Sequence, residues 1–79
     1  MEINLDGVSE IMEERGITSQ DIEAVIAWGE GEGGKLTDDG KNLAKKRIDK
    51  FMVYVEYMDD GTVTNTYGHR VTLVNSEAE

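Results

Sequence analysis

The segment FMVYVEYMDDGTVTNTYGHRV, residues 51–71, decides the fold that the sequence predicts. Residues 51–57 are rich in β-branched and aromatic side chains, and Phe51 and Val53 alternate with more polar neighbours, which is typical of a strand. Residues 59–61 supply the aspartate–glycine step that a tight hairpin turn requires. Residues 62–74 then predict a second strand, so this part of the chain forms an antiparallel hairpin.

Strand alternation assigns the side chains of the last predicted strand to two faces. Tyr67 and His69 fall on the more apolar face, which we expect to be turned to the core, whereas Gly68 and Arg70 fall on the other. We therefore expect His69, the only histidine, to be half-buried and hydrogen-bonded. We expect Arg70 to face water or to pair with Glu56. A bulge at Gly68 is the alternative, and it would bring His69 and Arg70 to one side.

The preceding residues predict two helices. Apolar residues recur at helical spacing over residues 8–15, and Gly16 follows them as a helix C-cap. Thr18 with Asp21 three residues later resembles a capping box. The second helix then covers residues 19–28 and ends where the glycine-rich segment 29–34 makes continuation costly.

The segment Lys41–Ile48, KNLAKKRI, is compatible with a strand or a helix. Its short length between two turns favours a strand, with Leu43 inward and Ile48 as a further candidate for an inward position. Lys45 and Arg47 then share one face, and Lys46 takes the other. We expect an edge strand whose lysines prevent unwanted pairing. The alternative is a basic strip that binds RNA or an acidic partner.

These elements predict an α+β fold in which two N-terminal helices pack on a three- or four-stranded antiparallel β-meander. The fourth strand would come from residues 35–37. We expect one domain over residues 1–74 and a polar C-terminal tail over residues 75–79.

The composition limits the chemistry. The absence of cysteine excludes disulfides and thiolate ligands or nucleophiles. A net charge of −9 opposes binding to nucleic-acid phosphates and anionic membranes. No apolar run approaches the roughly 20 residues that span a bilayer, and the N-terminus does not resemble a signal peptide. We expect a cytoplasmic protein that has no metal site and no cofactor.

A few side chains are candidates for chemistry or binding. His69 can transfer protons near neutral pH, and Arg70 can hold a phosphate oxygen through two contacts. Tyr54, Tyr57 and Tyr67 supply further hydrogen-bond donors. Trp28 is expected to cover the edge of the core, with a role as a partner anchor as the alternative.

Two resemblances add to this interpretation. The stretch MEERGITSQDIEAVIAWGE, residues 12–30, resembles the N-terminal half of small toxin domains of the RelE/BrnT type, in which helices precede an antiparallel sheet. Those toxins use basic, histidine or tyrosine side chains on the sheet to cut messenger RNA. By that resemblance Lys46, Arg47, His69 and Arg70 are the candidate catalytic positions.

The second resemblance covers more of the chain. The segments DIEAVIAWGE, LAKKRI, VYVEY and NTYGHRV resemble short uncharacterised proteins of anaerobic bacteria and archaea that accompany flavin or iron–sulfur oxidoreductases. Those relatives carry Tyr-Ser-His-Arg where this chain has Tyr67 to Arg70. The resemblance implies an accessory role beside a redox enzyme.

Three functions follow in order of preference. The first is a non-enzymatic module that binds a protein partner, such as a subunit of an oxidoreductase complex. The second is a toxin-type ribonuclease that uses His69 and Arg70. The third is an acidic mimic of nucleic acid that binds a basic protein. Tyr67, His69, Arg70 and Trp28 are the expected binding residues for the first.

Overall fold

The computed structural model of the protein describes residues 2–70. A short 3-10 helix, two α-helices and one four-stranded antiparallel sheet follow one another along the chain, and the strand order in the sheet is β1-β2-β3-β4. The predicted α+β fold with N-terminal helices is therefore confirmed. The elements are the 3-10 helix Asp6–Val8, α1 (Ser9–Arg15), α2 (Ser19–Glu30), β1 (Leu36–Asp38), β2 (Lys41–Ile48), β3 (Phe51–Met58) and β4 (Val63–Arg70).

The helix ends follow local sequence signals. Gly16 ends α1 in the left-handed conformation, with φ of 69°, and its N–H donates to the carbonyl of Met12. The Thr18 hydroxyl accepts from the Asp21 N–H at 3.1 Å, and the Asp21 carboxylate accepts from the Thr18 N–H at 3.1 Å. This confirms the capping box. Helix α2 continues past the predicted end to Glu30.

Two-residue turns connect the first three strands. Asp39 and Gly40 have φ of 52° and 81°, and Asp49 has φ of 57°, the positive angles that such hairpins favour. Lys41–Ile48 is a strand, as predicted, and it pairs with β3 along its whole length. Strand β1 covers only the beginning of β2, from Lys41 to Leu43. The expectation of an edge strand therefore holds only for residues 44–48.

A bulge in β4 reverses the predicted assignment of its faces. Tyr57 pairs with Val63 but Glu56 pairs with Asn65, so Thr64 is an extra residue. From that point the alternation is displaced by one position. Thr66 is buried, whereas Tyr67 and His69 are exposed, so the prediction that His69 lies half-buried on the core face is wrong.

The core lies between the helices and one face of the sheet. It is formed by apolar side chains from the helical region and all three long strands: Val8, Ile17, Ile22, Val25, Ile26, Ala44, Val53, Val55, Tyr57 and Val63. Leu43 is 40% exposed, so the prediction that it points inward is wrong. The hairpin register instead turns its neighbours Asn42 and Ala44 to the core, because adjacent strand residues face opposite sides.

The predicted strand residues 71–74 and the predicted tail 75–79 lie outside the described residues. Within residues 2–70, the helices are too short or too polar to cross a membrane.

Candidate functional site

The face of the sheet turned away from the helices includes two adjacent rows of mainly basic and aromatic side chains, next to a row formed by Leu43, Glu56 and Asn65. The pairing register places Lys45, Tyr54 and Tyr67 in one row across β2, β3 and β4. The next row contains Arg47, Met52 and His69. These six residues are called the open face below. They combine basic, aromatic and thioether side chains on one surface: Lys45, Arg47, Met52, Tyr54, Tyr67 and His69.

Three rings of the open face form a cluster. The ring centroids of Tyr54 and Tyr67 are 6.0 Å apart, those of Tyr54 and His69 are 5.6 Å apart, and those of Tyr67 and His69 are 5.9 Å apart. The Tyr54 hydroxyl lies 3.3 Å from Nε2 of His69, within reach of a long hydrogen bond. Because these rings contact one another, a ligand that stacks on them meets a surface that is already ordered.

A helix residue completes the cluster from the side. Arg15, the last residue of α1, places its guanidinium carbon 4.6 Å from the centroid of the Tyr67 ring. This is a cation–π contact. Tyr67 remains 45% exposed despite it, so its ring is held in place but stays accessible.

The charge of the open face differs from that of the whole protein. Lys45 and Arg47 lie within it and Arg15 borders it. The neighbouring carboxylate of Glu56 accepts a hydrogen bond from the Thr64 hydroxyl at 2.7 Å. Six acidic residues lie on α1 and α2: Glu10, Glu13, Glu14, Asp21, Glu23 and Glu30. Because Arg15 is the only lysine or arginine on these two helices, both carry a net negative charge.

The two neighbouring residues His69 and Arg70 do not share a face. The bulge is at Thr64 and not at Gly68, so alternation continues through the end of β4. His69 belongs to the open face and Arg70, which lies opposite Phe51, does not. Both residues nevertheless border a small cavity of about 130 Å³ beside Ile17. Arg70 is not placed to pair with Glu56, which stands opposite Asn65.

The four positions proposed for catalysis are divided between the two sides of the sheet. Arg47 and His69 are on the open face, in one row but separated by Met52. Lys46 lies on the other side, as predicted, with its Nζ 5.6 Å from the centroid of the Trp28 ring. Arg70 is also on that other side. The structure therefore places Arg47 and His69 in one row, and His69 and Arg70 at one cavity, but it does not bring the complete set together.

Trp28 does not belong to the buried core. It is 40% exposed, and its indole packs against Gly33, where an added Cβ would stand 1.9 Å from Nε1. The ring lies beside β2 through its contact with Lys46. The ring therefore lies partly exposed beside β2, and both the expectation that it covers the edge of the core and the alternative of a partner anchor remain predictions.

Sequence reasoning did not identify Arg15 as part of a site, and it named Tyr54 only as one of three tyrosines that supply hydrogen-bond donors. Tyr54 alternates with buried Val53 and Val55, so its outward position follows from β3 alone. Its partners could not be identified without the register between β3 and β4. Arg15 reaches Tyr67 from 52 positions away in sequence, and no local pattern signals such a contact.

A second polar group joins the end of α2 to the sheet. The Tyr57 hydroxyl and the Lys35 ammonium both donate to Oε2 of Glu30. The hydrogen bond from Lys35, followed by that from Tyr57, lowers the pKa of the Glu30 carboxyl. Burial raises the pKa of the Tyr57 hydroxyl strongly, and the bond to Glu30 adds to the effect. This hydrogen-bonded group links the end of α2 to β3 and lies apart from the open face.

Within the described part of the chain, histidine, aspartate and glutamate do not gather in a group of three or more that could hold a metal ion. Comparison with protein-family models, with curated proteins and with solved structures finds no match for the chain. The resemblances to RelE/BrnT toxins and to proteins that accompany redox enzymes therefore remain predictions.

Proposed function

We propose that this protein is a non-enzymatic interaction module that binds a partner protein through its open face. The observation that carries the proposal is the pre-packed cluster of Tyr54, Tyr67 and His69 on the face of the sheet turned away from the helices, where Tyr67 and His69 remain exposed. An exposed aromatic cluster has no role in the core, and a partner can bury it with little loss of side-chain entropy.

The residue types of the open face favour a protein partner. Tyrosine, methionine and arginine are enriched where protein interfaces are most buried, and tyrosine and arginine dominate binding hot spots. Tyr54, Tyr67, Met52 and Arg47 supply these types in two adjacent rows. The cations of the face are complementary to an acidic patch, which would assist encounter and orientation. Subunits of an oxidoreductase are the first partners to test, given the second resemblance.

The first experiment compares open-face variants with a charge variant of the helices. The partner is isolated from source cells on tagged protein, purified, and titrated against the wild type and Tyr54→Ala/Tyr67→Ala. Loss of two tyrosine contacts is expected to weaken binding by about tenfold or more. The control Glu10→Gln/Glu13→Gln alters exposed helix positions and is expected to keep the affinity.

The other candidate functions give different results in the same comparison. If the helix variant loses the partner and the tyrosine variant keeps it, the protein acts as an acidic mimic that binds a basic protein. If single-stranded RNA is cleaved and the activity disappears in His69→Ala and Arg70→Ala, the ribonuclease hypothesis is correct. A partner bound equally by all variants contradicts the open-face proposal.

A further inference from the structure

The second half of β2 presents a free edge. Strand β1 ends opposite Leu43, so residues 44–48 pair only with β3. The pairs Asp38–Lys41 and Ile48–Phe51 close two-residue hairpins, and such closing pairs exchange backbone hydrogen bonds.

The direction of the free backbone groups follows from these two turns. Lys41 directs its N–H and C=O to β1, and Ile48 directs them to β3. The direction of these groups alternates along a strand. Counting from Lys41 or from Ile48 therefore gives the same result: Lys45 and Arg47 direct their N–H and C=O groups to the free edge. Among residues 2–70, neither group makes a backbone hydrogen bond to a loop or helix. Two donors and two acceptors are thus available to an added strand.

A groove runs beside this edge. It has a volume of about 500 Å³ and lies beside Gly33 and Gly34, which precede β1. Its apolar lining comes from Trp28, Leu36 and Leu43, which are 40%, 73% and 40% exposed, and from the ring of Tyr54. The groove can therefore take an apolar side chain of a segment that is paired to β2.

The charges around the edge indicate the chemistry of that segment. Lys45, Lys46 and Arg47 follow one another along it, and the residues that line the groove include no carboxylate among those described. Lys35 also lines the groove, but Glu30 already pairs with it. A second copy paired edge to edge would set the same cations against one another, which opposes self-association. The complementary ligand is acidic.

We propose that the free edge of β2 binds an extended acidic segment of a partner protein, which adds as a strand at Lys45 and Arg47 and inserts an apolar side chain beside Trp28. Main-chain hydrogen bonds supply affinity in this mode of recognition, and the groove supplies specificity. The site shares Lys45 and Tyr54 with the open face. It goes beyond the open-face interface because it uses the main chain of β2 and does not need Tyr67 or His69.

The probe is a capped hexapeptide of alternating glutamate and valine, with a lysine–valine peptide of the same length as the charge control. Trp28 is the only tryptophan, so its fluorescence reports on the groove directly. The acidic peptide is expected to change the Trp28 emission and to shift the amide resonances of Lys45 and Arg47. The basic peptide is expected to bind about tenfold more weakly or worse.

Two N-methylated forms of the acidic peptide test strand addition. One carries the methyl groups on the glutamate nitrogens and the other carries them on the valine nitrogens. Only one set of amides faces β2 in an added strand, so one form is expected to lose about tenfold in affinity and the other to lose much less. Equal affinity of both forms for the protein overturns the proposal.

A matched pair of variants tests the edge itself. Arg47→Pro and Arg47→Ala remove the same side chain, but only proline removes the N–H, and an edge strand tolerates proline on its free side. The proline variant is expected to bind the acidic peptide about tenfold more weakly than the alanine variant, with its amide spectrum otherwise retained. If Arg47→Pro unfolds, the two N-methylated peptides still test whether the acidic segment adds as a strand.

Two further results would contradict the proposed strand-binding site. Absence of binding at about 1 mM of the acidic peptide overturns the proposal. Resonance shifts confined to Tyr67 and His69 also overturn it, and they would place the acidic ligand on the open face instead.

Discussion

Gly29 of α2 lies directly against Ala44 of β2, and a Cβ added to Gly29 would stand 2.6 Å from the Cβ of Ala44. Glycine within a helix costs about 1 kcal/mol relative to alanine. Here it permits the helix to approach the sheet closely, so that Val25 and Ile26 reach the core. The pair of small residues therefore sets the distance between α2 and the sheet.

The variant Gly29→Ala is expected to lower the free energy of unfolding by about 1–3 kcal/mol, because the added methyl group overfills the contact. Urea denaturation measures the change. The double variant Gly29→Ala/Ala44→Gly removes the opposing methyl group, so the two substitutions should destabilise by less than their sum. A stabilised Gly29→Ala variant would show that helix propensity outweighs packing here.

Gly68 differs from Gly29 because it has room for a side chain. A Cβ at Gly68 would stand 3.5 Å from Cδ1 of Ile17, an ordinary contact, and Gly68 is not among the glycines with positive φ. We expect Gly68→Ser to change the free energy of unfolding by no more than about 1 kcal/mol, with stabilisation favoured by the lower entropy of the unfolded chain.

The matched control for Gly68→Ser is Gly33→Ser. Its Cβ would stand 1.9 Å from Nε1 of Trp28, so the indole must move. Fluorescence emission is expected to shift in Gly33→Ser and to stay unchanged in Gly68→Ser. A strong loss of stability in Gly68→Ser would mean that the end of β4 packs more tightly against Ile17 than the structure indicates.

Local signals were sufficient for most of the fold. The capping box of Thr18 and Asp21, the glycine after α1 and the short turns of the meander each depend on a few adjacent residues, and each was predicted correctly. The faces of β4 were not predicted correctly, because the extra residue Thr64 shifts the alternation of every later residue in the strand by one position. The Thr64 hydroxyl bonds to the Glu56 carbonyl and carboxylate, and that pairing depends on the neighbouring strand.

The candidate site was predicted only in part for the same reason. Tyr67 and His69 were selected by residue type, but the bulge moved them from the expected core face to the open face. Tyr54 and Arg15 join them through contacts across strands and from α1. Such contacts depend on register and on helix placement, and no short motif in the sequence encodes either.

Asn42 provides a test of a buried polar connection. It is 1% exposed, its Oδ1 accepts from the Thr37 hydroxyl at 2.9 Å, and its Nδ2 donates to an oxygen of Asp59 at 3.0 Å. Asn42→Asp replaces the donor to Asp59 with a carboxylate. We expect a loss of about 2 kcal/mol or more at pH 7, because two carboxylates then meet at a buried position.

Lower pH should partly restore the stability of the Asn42→Asp variant, because protonation of either carboxyl group again supplies a hydrogen-bond donor. The difference in the free energy of unfolding between this variant and the wild type is therefore expected to be smaller at about pH 4 than at pH 7. Asn42→Ala, which introduces no charge, is the control. The same loss at both pH values in Asn42→Asp would contradict the proposed repulsion.

The buried hydroxyl of Tyr57 should make the free energy of unfolding depend on pH in the alkaline range. Burial and then its bond to Glu30 raise the pKa of the hydroxyl above the ordinary value of 10.0. Above about pH 10 the unfolded chain loses this proton while the folded chain retains it, so stability falls by up to about 1.4 kcal/mol per pH unit from this group. Below that pH both states keep the proton, and the contribution does not change.

Tyr57→Phe removes the titrating group and retains the ring. It is expected to be less stable than the wild type at pH 7 by about 1 kcal/mol, since the bond to Glu30 is lost. Its stability should decline less steeply than that of the wild type between about pH 10 and pH 11, so the two curves converge. Urea denaturation at fixed ionic strength across this range measures both curves. Parallel curves would mean that Tyr57 ionises in the folded protein as readily as in the unfolded chain.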